Sequence, residues 1–447
     1  MPVADLIGAL FLPAPTKLRR YVRSHQRRWY DSHSTGCRVR VFRSVAALVG
    51  ISSYNYYLLR MLKRPEWVYR GYFKIPQQRL TFLEPPKSTP ADIALCERLI
   101  LAYQRATSRS AETPGLSRLW SEITQRYQAG LQRALEEKDP NLLAGELSSM
   151  FRKEFLYGIA SGHLHTHARS AVGARIWSMR YLDDLVSLAE YLGAVRTECP
   201  EQGEVAYALK DGLDALVEKI EQALGVSIGF PPVGAPYGIQ AGESLITMEA
   251  PEHIYVACRI ARALVDRLPK PLSSLPKIVE IGAGFGGTAY WFLMLRNLVV
   301  REYTLVDLPH ANVLQGYFLS QVFGTSQVRL FGESTGDHPQ PPIITILPPQ
   351  GIGDLRERDI DMLINQNSMP EMPEEIVANY LGWAKETVRG IFYSYNQEAF
   401  SPVRGVPQVL VPEVIRRVGG FSLLSRNASW MRRGYVEEVY SGAPSWA

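Results

Sequence analysis

Residues 278–287 read Ile-Val-Glu-Ile-Gly-Ala-Gly-Phe-Gly-Gly, and residues 303–309 read Tyr-Thr-Leu-Val-Asp-Leu-Pro. The first segment is a short apolar run entering a glycine-rich turn. The second is another apolar run that ends in a carboxylate, one helix length later. No other feature constrains the fold as much. Short apolar runs of this kind read as buried strands of a parallel sheet. A glycine turn at the carboxyl end of such a strand leaves bare backbone, against which a nucleoside can lie; side chains there would block it. Asp307 then stands at the end of the next strand, where a charged acceptor can take hydrogen bonds from both hydroxyls of a ribose.

The same letters satisfy two patterns. Gly282, Gly284 and Gly287 fit the dinucleotide fingerprint, which alone is weak. Glu280, Gly282, Gly284 and Gly286 also resemble the acid-x-Gly-x-Gly-x-Gly loop of S-adenosylmethionine (SAM) dependent methyltransferases. A nicotinamide or flavin nucleotide, or a plain strand–turn–helix without ligand, are the alternatives. Three points favour SAM. Glu280 lies two residues before the first glycine, Gly286 adds a third alternating glycine, and the motif lies deep in the chain ahead of a methyltransferase-like ending. Glu280, Gly282, Ala283, Gly284, Gly286, Asp307, Leu308 and Asn365 are the expected cofactor contacts.

From residue 277 onward strand and helix alternate, which implies a parallel sheet with helices on both faces. Strands are predicted at 278–281, 303–306, either 328–331 or 343–347, 362–365 and 391–395. Helices are predicted at about 286–297, 310–322, 373–388 and 411–418. Two final strands, 421–428 and 434–440, follow without another helix, as an antiparallel hairpin would. The expected fold class is therefore α/β: a Rossmann-like class I methyltransferase sheet with a closing antiparallel hairpin, preceded by a mainly helical N-terminal region. Residues 91–224 read helical almost throughout, with 206–224 as one amphipathic helix. A glycine- and proline-rich break follows at 225–238. The expected domains are a basic aromatic segment at 1–85, a helical domain at 86–230 and the SAM-dependent methyltransferase domain at 231–447.

The charge is uneven. The whole chain of 447 residues carries +5, whereas residues 1–80 hold 15 Lys and Arg against 3 Asp and Glu. The remainder is therefore acidic, and the basic character belongs to the N-terminal segment, where Arg19, Arg20, Arg23, Arg27 and Arg28 precede Trp29 and Tyr30. Interleaved arginines and aromatics suit an anionic membrane surface or a packed N-terminal arm. No nucleic-acid-binding motif is readable, so nucleic acid is not an expected partner. Cys37, Cys96, Cys199 and Cys258 stand far apart without paired spacing, which argues for a reducing compartment and against a disulfide framework or zinc site. No stretch approaches 18 apolar residues, and the apolar start precedes the positive charges, the reverse of a secretory signal. A cytoplasmic protein with membrane-peripheral attraction is expected.

Several segments together resemble a family of bacterial sugar O-methyltransferases. They are Gly234-Ala235-Pro236-Tyr237-Gly238, the 280–287 loop, Val306-Asp307-Leu308-Pro309, Gln315-Gly316-Tyr317-Phe318-Leu319, Asn365-Gln366-Asn367-Ser368-Met369-Pro370-Glu371-Met372 and Phe392-Tyr393-Ser394-Tyr395-Asn396. The resemblance covers roughly residues 230–440 and weakens through the helical region. One departure is Ala235, where the family's Gly-Asn-Pro carries a polar side chain. The resemblance implies SAM as cofactor and a hydroxyl of a sugar, sugar-containing natural product or glycan as acceptor. A methyltransferase of another small molecule, and a non-catalytic scaffold subunit in glycan assembly, are the alternatives.

Methyl transfer to a hydroxyl needs the acceptor oxygen aligned with the methyl carbon and sulfur, and a group to take one proton. Glu371, shortly after the fourth strand, is the first candidate base, although Ser368 and Glu371 are also spaced as a capping box for the next helix. His310, three residues past Asp307, is the second. Tyr237, His253, Asn367 and Asn396 are candidate substrate contacts. His163, His165 and His167 would chelate a metal on a strand but diverge on a helix. His338 sits in a proline-rich loop. Metal-dependent sugar methyltransferases usually carry paired carboxylates after strand four; Asn-Gln-Asn-Ser stands there, so no metal is expected.

The basic segment makes the first prediction. The full chain should co-sediment with acidic vesicles, and the attraction should fall with salt. Removing residues 1–85 should abolish it. Equal pelleting of both forms, or none on acidic lipid, would leave the segment a structural element.

Overall fold

The computed structural model describes residues 75–109, 117–160, 171–199, 202, 206–267, 275–295, 299–334, 336, 343–355, 360–399 and 408–442. The basic segment before residue 75, the histidine run 163–167 and His338 lie outside the described residues.

An eight-stranded sheet forms the centre of the described structure. Taking the chain in order, β1 is Leu80–Phe82, β2 Tyr237–Ala241 and β3 Ser244–Ile246. The large sheet comprises β4 (Lys277–Ile281), β5 (Glu302–Val306), β6 (Val328–Arg329), β7 (Ile344–Leu347), β8 (Ile360–Gln366), β9 (Val388–Gln397), β10 (Ser422–Ala428) and β11 (Tyr435–Ser441). Its order is β10-β11-β9-β8-β4-β5-β7-β6. Strands β4 to β9 pair parallel, while β11 is antiparallel to both β9 and β10. This is the expected sheet with its closing hairpin. The ambiguity over the third strand resolves into two strands: short β6 pairs with β7 at Val328↔Ile344 and Arg329↔Thr345.

Strand β4 is the pivot. The chain runs from it to β5 on one side and later returns to β8 on the other, so Ile281 pairs with both Val306 and Asn365. Such a reversal opens a crevice beyond the carboxyl ends of the strands. Burial on both faces explains the continuous apolar pattern: every residue of β8 is buried.

The helical region is less regular than expected. It contains α1 (Pro90–Ser108), α2 (Arg118–Tyr127), α3 (Ala129–Glu136), α4 (Pro140–Leu147), α5 (Ala171–Tyr191) and α6 (Leu213–Leu224). Helix α1 begins where Thr89 and Asp92 cap each other and Pro90 occupies the first turn. The chain turns through short 3-10 segments at Met150–Arg152 and Glu154–Leu156. The single helix expected over 206–224 is a correction. Gly212, at φ 93°, separates a 3-10 turn at Tyr207–Leu209 from α6. A helix cannot pass through that left-handed conformation.

Helices and sheet share one continuous apolar core, which runs from Leu95 and Leu99 to Ile278, Phe318 and Tyr395. Phe151 and Phe230 pack with Phe285 of the glycine turn and with Phe318, their ring centroids 5.2–6.3 Å apart. Helix α7 (Ala250–Arg267) precedes β4. Arg259 of α7 pairs with buried Glu437 of β11, which also accepts from the Tyr393 hydroxyl at 2.9 Å. The remaining helices are α8 (Gly287–Met294), α9 (Pro309–Phe323), α10 (Glu374–Thr387) and α11 (Val411–Val418).

The small sheet β1-β2-β3 joins residues 80–82 to 237–246, across the divisions drawn at 85 and 230. Tyr237, expected in the irregular break, is instead the first residue of β2. Deleting residues 1–85 would therefore also remove β1. The cut that tests the basic segment cleanly falls before Ile75.

Candidate active site

Glu280 points from β4 into the crevice and is 2% exposed. Its Oε2 accepts from the Tyr303 hydroxyl at 2.8 Å. Burial pushes its carboxyl up to about 7, against that hydrogen bond. After β4 the chain turns sharply: Gly282, Gly284 and Gly286 have φ of 72°, 62° and 89°. A Cβ on Gly282 would collide with Ser368, so the first glycine is needed for close packing as well as for conformation. A Cβ on Gly284 would instead meet Ile159, a residue of the same cavity wall.

Asp307 closes the turn from β5. Its Oδ2 accepts from the Gly284 amide at 2.9 Å and from Gln315 Nε2 at 3.2 Å; its Oδ1 accepts from the Leu308 amide at 2.8 Å. Gln315 Nε2 also donates to the Gly284 carbonyl at 2.9 Å, locking turn and carboxylate together. Burial nevertheless pushes the Asp307 carboxyl up to about 6. A carboxylate offers about four lone-pair sites, and three donors leave Oδ1 free for a hydroxyl.

Opposite, beyond β8, Asn367 adopts a left-handed φ of 60°. Its amide donates to the Tyr395 carbonyl at 3.0 Å, and its side-chain Oδ1 is buried without a partner. Glu371 ends the 3-10 turn Met369–Glu371. Burial raises its carboxyl to about 7, offset in part by nearby Arg432. The capping box suggested by the spacing does not form: α10 starts at Pro373 without a side-chain cap, and the Ser368 hydroxyl donates to the Ile281 carbonyl at 3.2 Å. Glu371 is thereby free of a capping duty.

These groups line one cavity of about 500 Å³. Glu280, Gly282, Ala283, Gly284, Asp307, Leu308, His253, His310, Asn367 and Glu371 all contribute to its wall. His310, in the first turn of α9, is 7% exposed with Nε2 unpartnered. Burial lowers it to about 4, so its ring is neutral at physiological pH. His253 meets Phe285 edge-on, burial lowers its pKa, and its Nδ1 has no partner. A side chain at Gly287 would occupy the His253 ring position.

Four expected contacts stand elsewhere. Asn365 is 0% exposed and lies behind the wall. Its Nδ2 donates to the Ile281 carbonyl at 2.9 Å and to Ser368 Oγ at 2.6 Å, and its Oδ1 accepts from Asn396 Nδ2 at 2.9 Å. Asn365 and Asn396 therefore brace the ends of β4, β8 and β9 instead of facing a ligand. Tyr237 stacks on Phe82, ring centroids 5.2 Å apart, in the small sheet. Gly286 sits under the turn against Leu319. Their spacing in the sequence resembles that of ligand residues, but each is consumed by a packing or bracing contact.

Sequence reasoning missed the other wall. Trp120, Thr124 and Gln128 come from the helical region, and Tyr380 and Trp383 from α10. Trp120 approaches His310, centroids 6.1 Å apart. The available signal was Thr124 and Gln128, polar residues four apart on a helix whose apolar face carries Leu119 and Ile123. A second, open groove of about 790 Å³ lies between α6 and β2–β3. Its acids Asp214 and Glu221 are engaged by the Gly242 and Ile228 amides.

No family model matches the chain, and no curated protein matches it. Solved structures do. The structure of the mitomycin 7-O-methyltransferase MmcR is 13% identical and covers 79% of this chain and 96% of its own, with a TM-score of 0.32. The Burkholderia thailandensis 1,6-didemethyltoxoflavin-N1-methyltransferase with bound 1,6-didemethyltoxoflavin and S-adenosylhomocysteine is 16% identical, covering 43% and 79%, with a TM-score of 0.30. Magnesium protoporphyrin IX methyltransferase (ChlM) from Synechocystis PCC 6803 with bound SAM is 13% identical, covering 44% and 81%, with a TM-score of 0.31. At these identities and scores the likeness carries no functional argument, which rests on the residues of the cavity.

Glu280 makes a stability prediction. Raising a carboxyl from its ordinary 4.5 to about 7 corresponds to roughly 3 kcal/mol. The folded protein then holds more protons than the unfolded chain between those values. Stability from this group falls as pH rises through that window, and the penalty is complete above it. Glu280→Gln should therefore stabilise the ligand-free protein by about 1–3 kcal/mol near pH 8, and the gain should vanish near pH 4. Denaturant unfolding at both pH values checks this. A variant no more stable than wild type at the higher pH would show that burial does not strain this carboxyl.

Proposed function

We propose that this protein transfers the methyl group of SAM to a hydroxyl oxygen of a sugar, sugar-containing natural product or glycan, without a metal ion. One observation carries the reading. Glu280, the 282–284 turn and Asp307 line a single cavity together with Glu371 and His253. The residues fit a nucleoside cofactor. Asp307 keeps one acceptor site on Oδ1 for a ribose hydroxyl, the turn leaves backbone bare, and Glu280 stands where an ammonium would be received. The sugar in this proposal comes from the family resemblance of the 306–309, 365–372 and 392–396 segments.

When bound, SAM supplies an electrophilic methyl group carried by a sulfonium. The protein's own work is to orient the acceptor and take its proton. Glu371 is suited to that, because a carboxyl at about 7 is substantially ionised at neutral pH yet basic enough to accept. Turnover should rise with pH through that value. His310 stays neutral beside Asp307. The end of β8 and the two residues after it carry Asn365, Gln366, Asn367 and Ser368, neutral groups with little affinity for a divalent cation, which supports the metal-free reading. The basic N-terminal segment would bring the enzyme to anionic surfaces where such acceptors are displayed.

Two substitutions separate binding from chemistry. Asp307→Ala should weaken SAM roughly tenfold or more, from a loss of about 1.5–3 kcal/mol for hydrogen bonds to a charged group. Calorimetry on the folded variant measures it, and unchanged affinity would remove Asp307 from the ribose site. Glu371→Gln should lower turnover by about 100- to 10,000-fold while leaving SAM affinity intact. Near-normal turnover would move the base to His310 or His253. Activity should also survive exhaustive chelation; loss in EDTA with rescue by magnesium would refute the metal-free reading.

A further inference from the structure

Gln128 links α2 and α3 and is 0% exposed. Neither its Nε2 nor its Oε1 has a partner, and it caps neither helix with its side chain. One helical turn earlier, Thr124 Oγ1 is also buried and unpartnered. Both residues line the candidate active-site cavity. The same cavity is lined by His253, His310, Asn367 and Trp383, whose Nδ1, Nε2, Oδ1 and Nε1 atoms are each buried without a partner. A buried polar atom left unpaired costs about 1–3 kcal/mol, and such atoms are rare in folded proteins. Six side chains of this kind, lining one space, are groups arranged for a ligand. They offer both donors and acceptors, the pattern that hydroxyl and ether oxygens need.

The charges of the wall are one-sided. Glu280, Asp307 and Glu371 contribute three carboxyl groups, and no Lys or Arg is found among the described residues lining the cavity. Arg432 stands behind it, held by Glu252 at 3.3 Å and by the Tyr435 ring. The Gly284 amide, a donor a phosphate would seek at such a turn, is already given to Asp307. A phosphate entering here would lose water and meet three carboxyl groups, while Arg432, the cation beside Glu371, is already paired with Glu252.

We propose that the acceptor entering this cavity is an uncharged, hydroxyl-rich ring held by the neutral side chains of the helical wall, with Gln128 and Thr124 as its specificity-determining contacts, and that sugars phosphorylated next to the reacting ring are excluded. The proposal rests on the methyl-transfer reading above and names the acceptor class for it.

The test uses the full chain and labelled SAM on matched sets: methyl glycosides of hexoses and deoxyhexoses, the 1-phosphates of the same sugars, and their nucleoside diphosphate forms. The methyl glycosides should be methylated with kcat/KM roughly tenfold or more above their phosphorylated counterparts. Gln128→Leu and the nearly isosteric Thr124→Val should each raise the glycoside KM by roughly tenfold, leaving the Kd for SAM unchanged by calorimetry. Thr124→Val keeps the test valid if the Gln128 variant fails to fold. Equal or better turnover of a phosphorylated sugar, no turnover of any glycoside, or variants that weaken SAM in place of the acceptor would overturn the proposal. Calorimetry separates the two levels. SAM binding without glycoside methylation overturns the acceptor class alone, whereas absence of SAM binding overturns the reading beneath it as well.

Discussion

Two carboxyl groups, Glu280 and Asp307, are held at the ends of adjacent parallel strands inside an apolar crevice. Their pKa values are raised to about 7 and about 6 because burial opposes their charge. Everything around them manages that cost. Tyr303 donates to one; Gly284, Leu308 and Gln315 donate to the other. The three donors on Asp307 come from three places: the turn after β4, the second residue after β5, and the second turn of α9. The carboxylate is therefore set correctly only when strand, turn and helix are all in register. Under the methyl-transfer reading, a site strained in this way gives up some stability for the binding of a cation and a diol.

The helical region makes the crevice a cavity. A sheet edge with a glycine turn is open to water, where hydrogen bonds and charges count for less. Helix α1 packs on α9, where Gly316 lets Leu99 approach the helix backbone. The 150–160 segment lies over the turn, with Phe151 against Phe285 and Ile159 beside Gly284. Because Phe285 belongs to the turn itself, the same residue that shapes the glycine turn anchors the helices above it. The shared core is the physical reason that helices and sheet pack as one unit here.

How much of this was legible differs by kind of information. Strand positions could be read because buried parallel strands leave long apolar runs, and the turn because only glycine fits its left-handed angles. Glu280, Asp307, His310 and Glu371 could be placed because each stands at a strand end or a short distance after one. Asn365, Asn396 and Tyr237 misled because the sequence locates a polar residue at a strand end but not the face it uses or the partner it meets. Alternation along β8 sends Gln366 to the cavity and turns Asn365 toward Ile281 and Asn396, while Asn367 reaches the cavity beyond the strand end through its left-handed φ of 60°. The helical wall was invisible for a different reason. Trp120, Thr124 and Gln128 are more than 150 residues from the glycine turn. Their arrival depends on tertiary packing that no local pattern encodes.

The electrostatic bias of the cavity also bears on turnover as a cycle. Under the methyl-transfer reading, the bound cofactor carries a positive sulfonium before reaction and a neutral sulfide afterward. Three carboxyl groups, with no Lys or Arg among the described lining residues, attract the first state more than the second. The difference grows with burial, because the surrounding core keeps the effective dielectric low. Attraction that is strong for the charged reactant and weaker for the uncharged product eases product release, the step that limits many enzymes. A cationic side chain in the wall would reverse that gradient. The basic residues of the chain, concentrated before residue 80, are thus separated in sequence from the groups that do the binding.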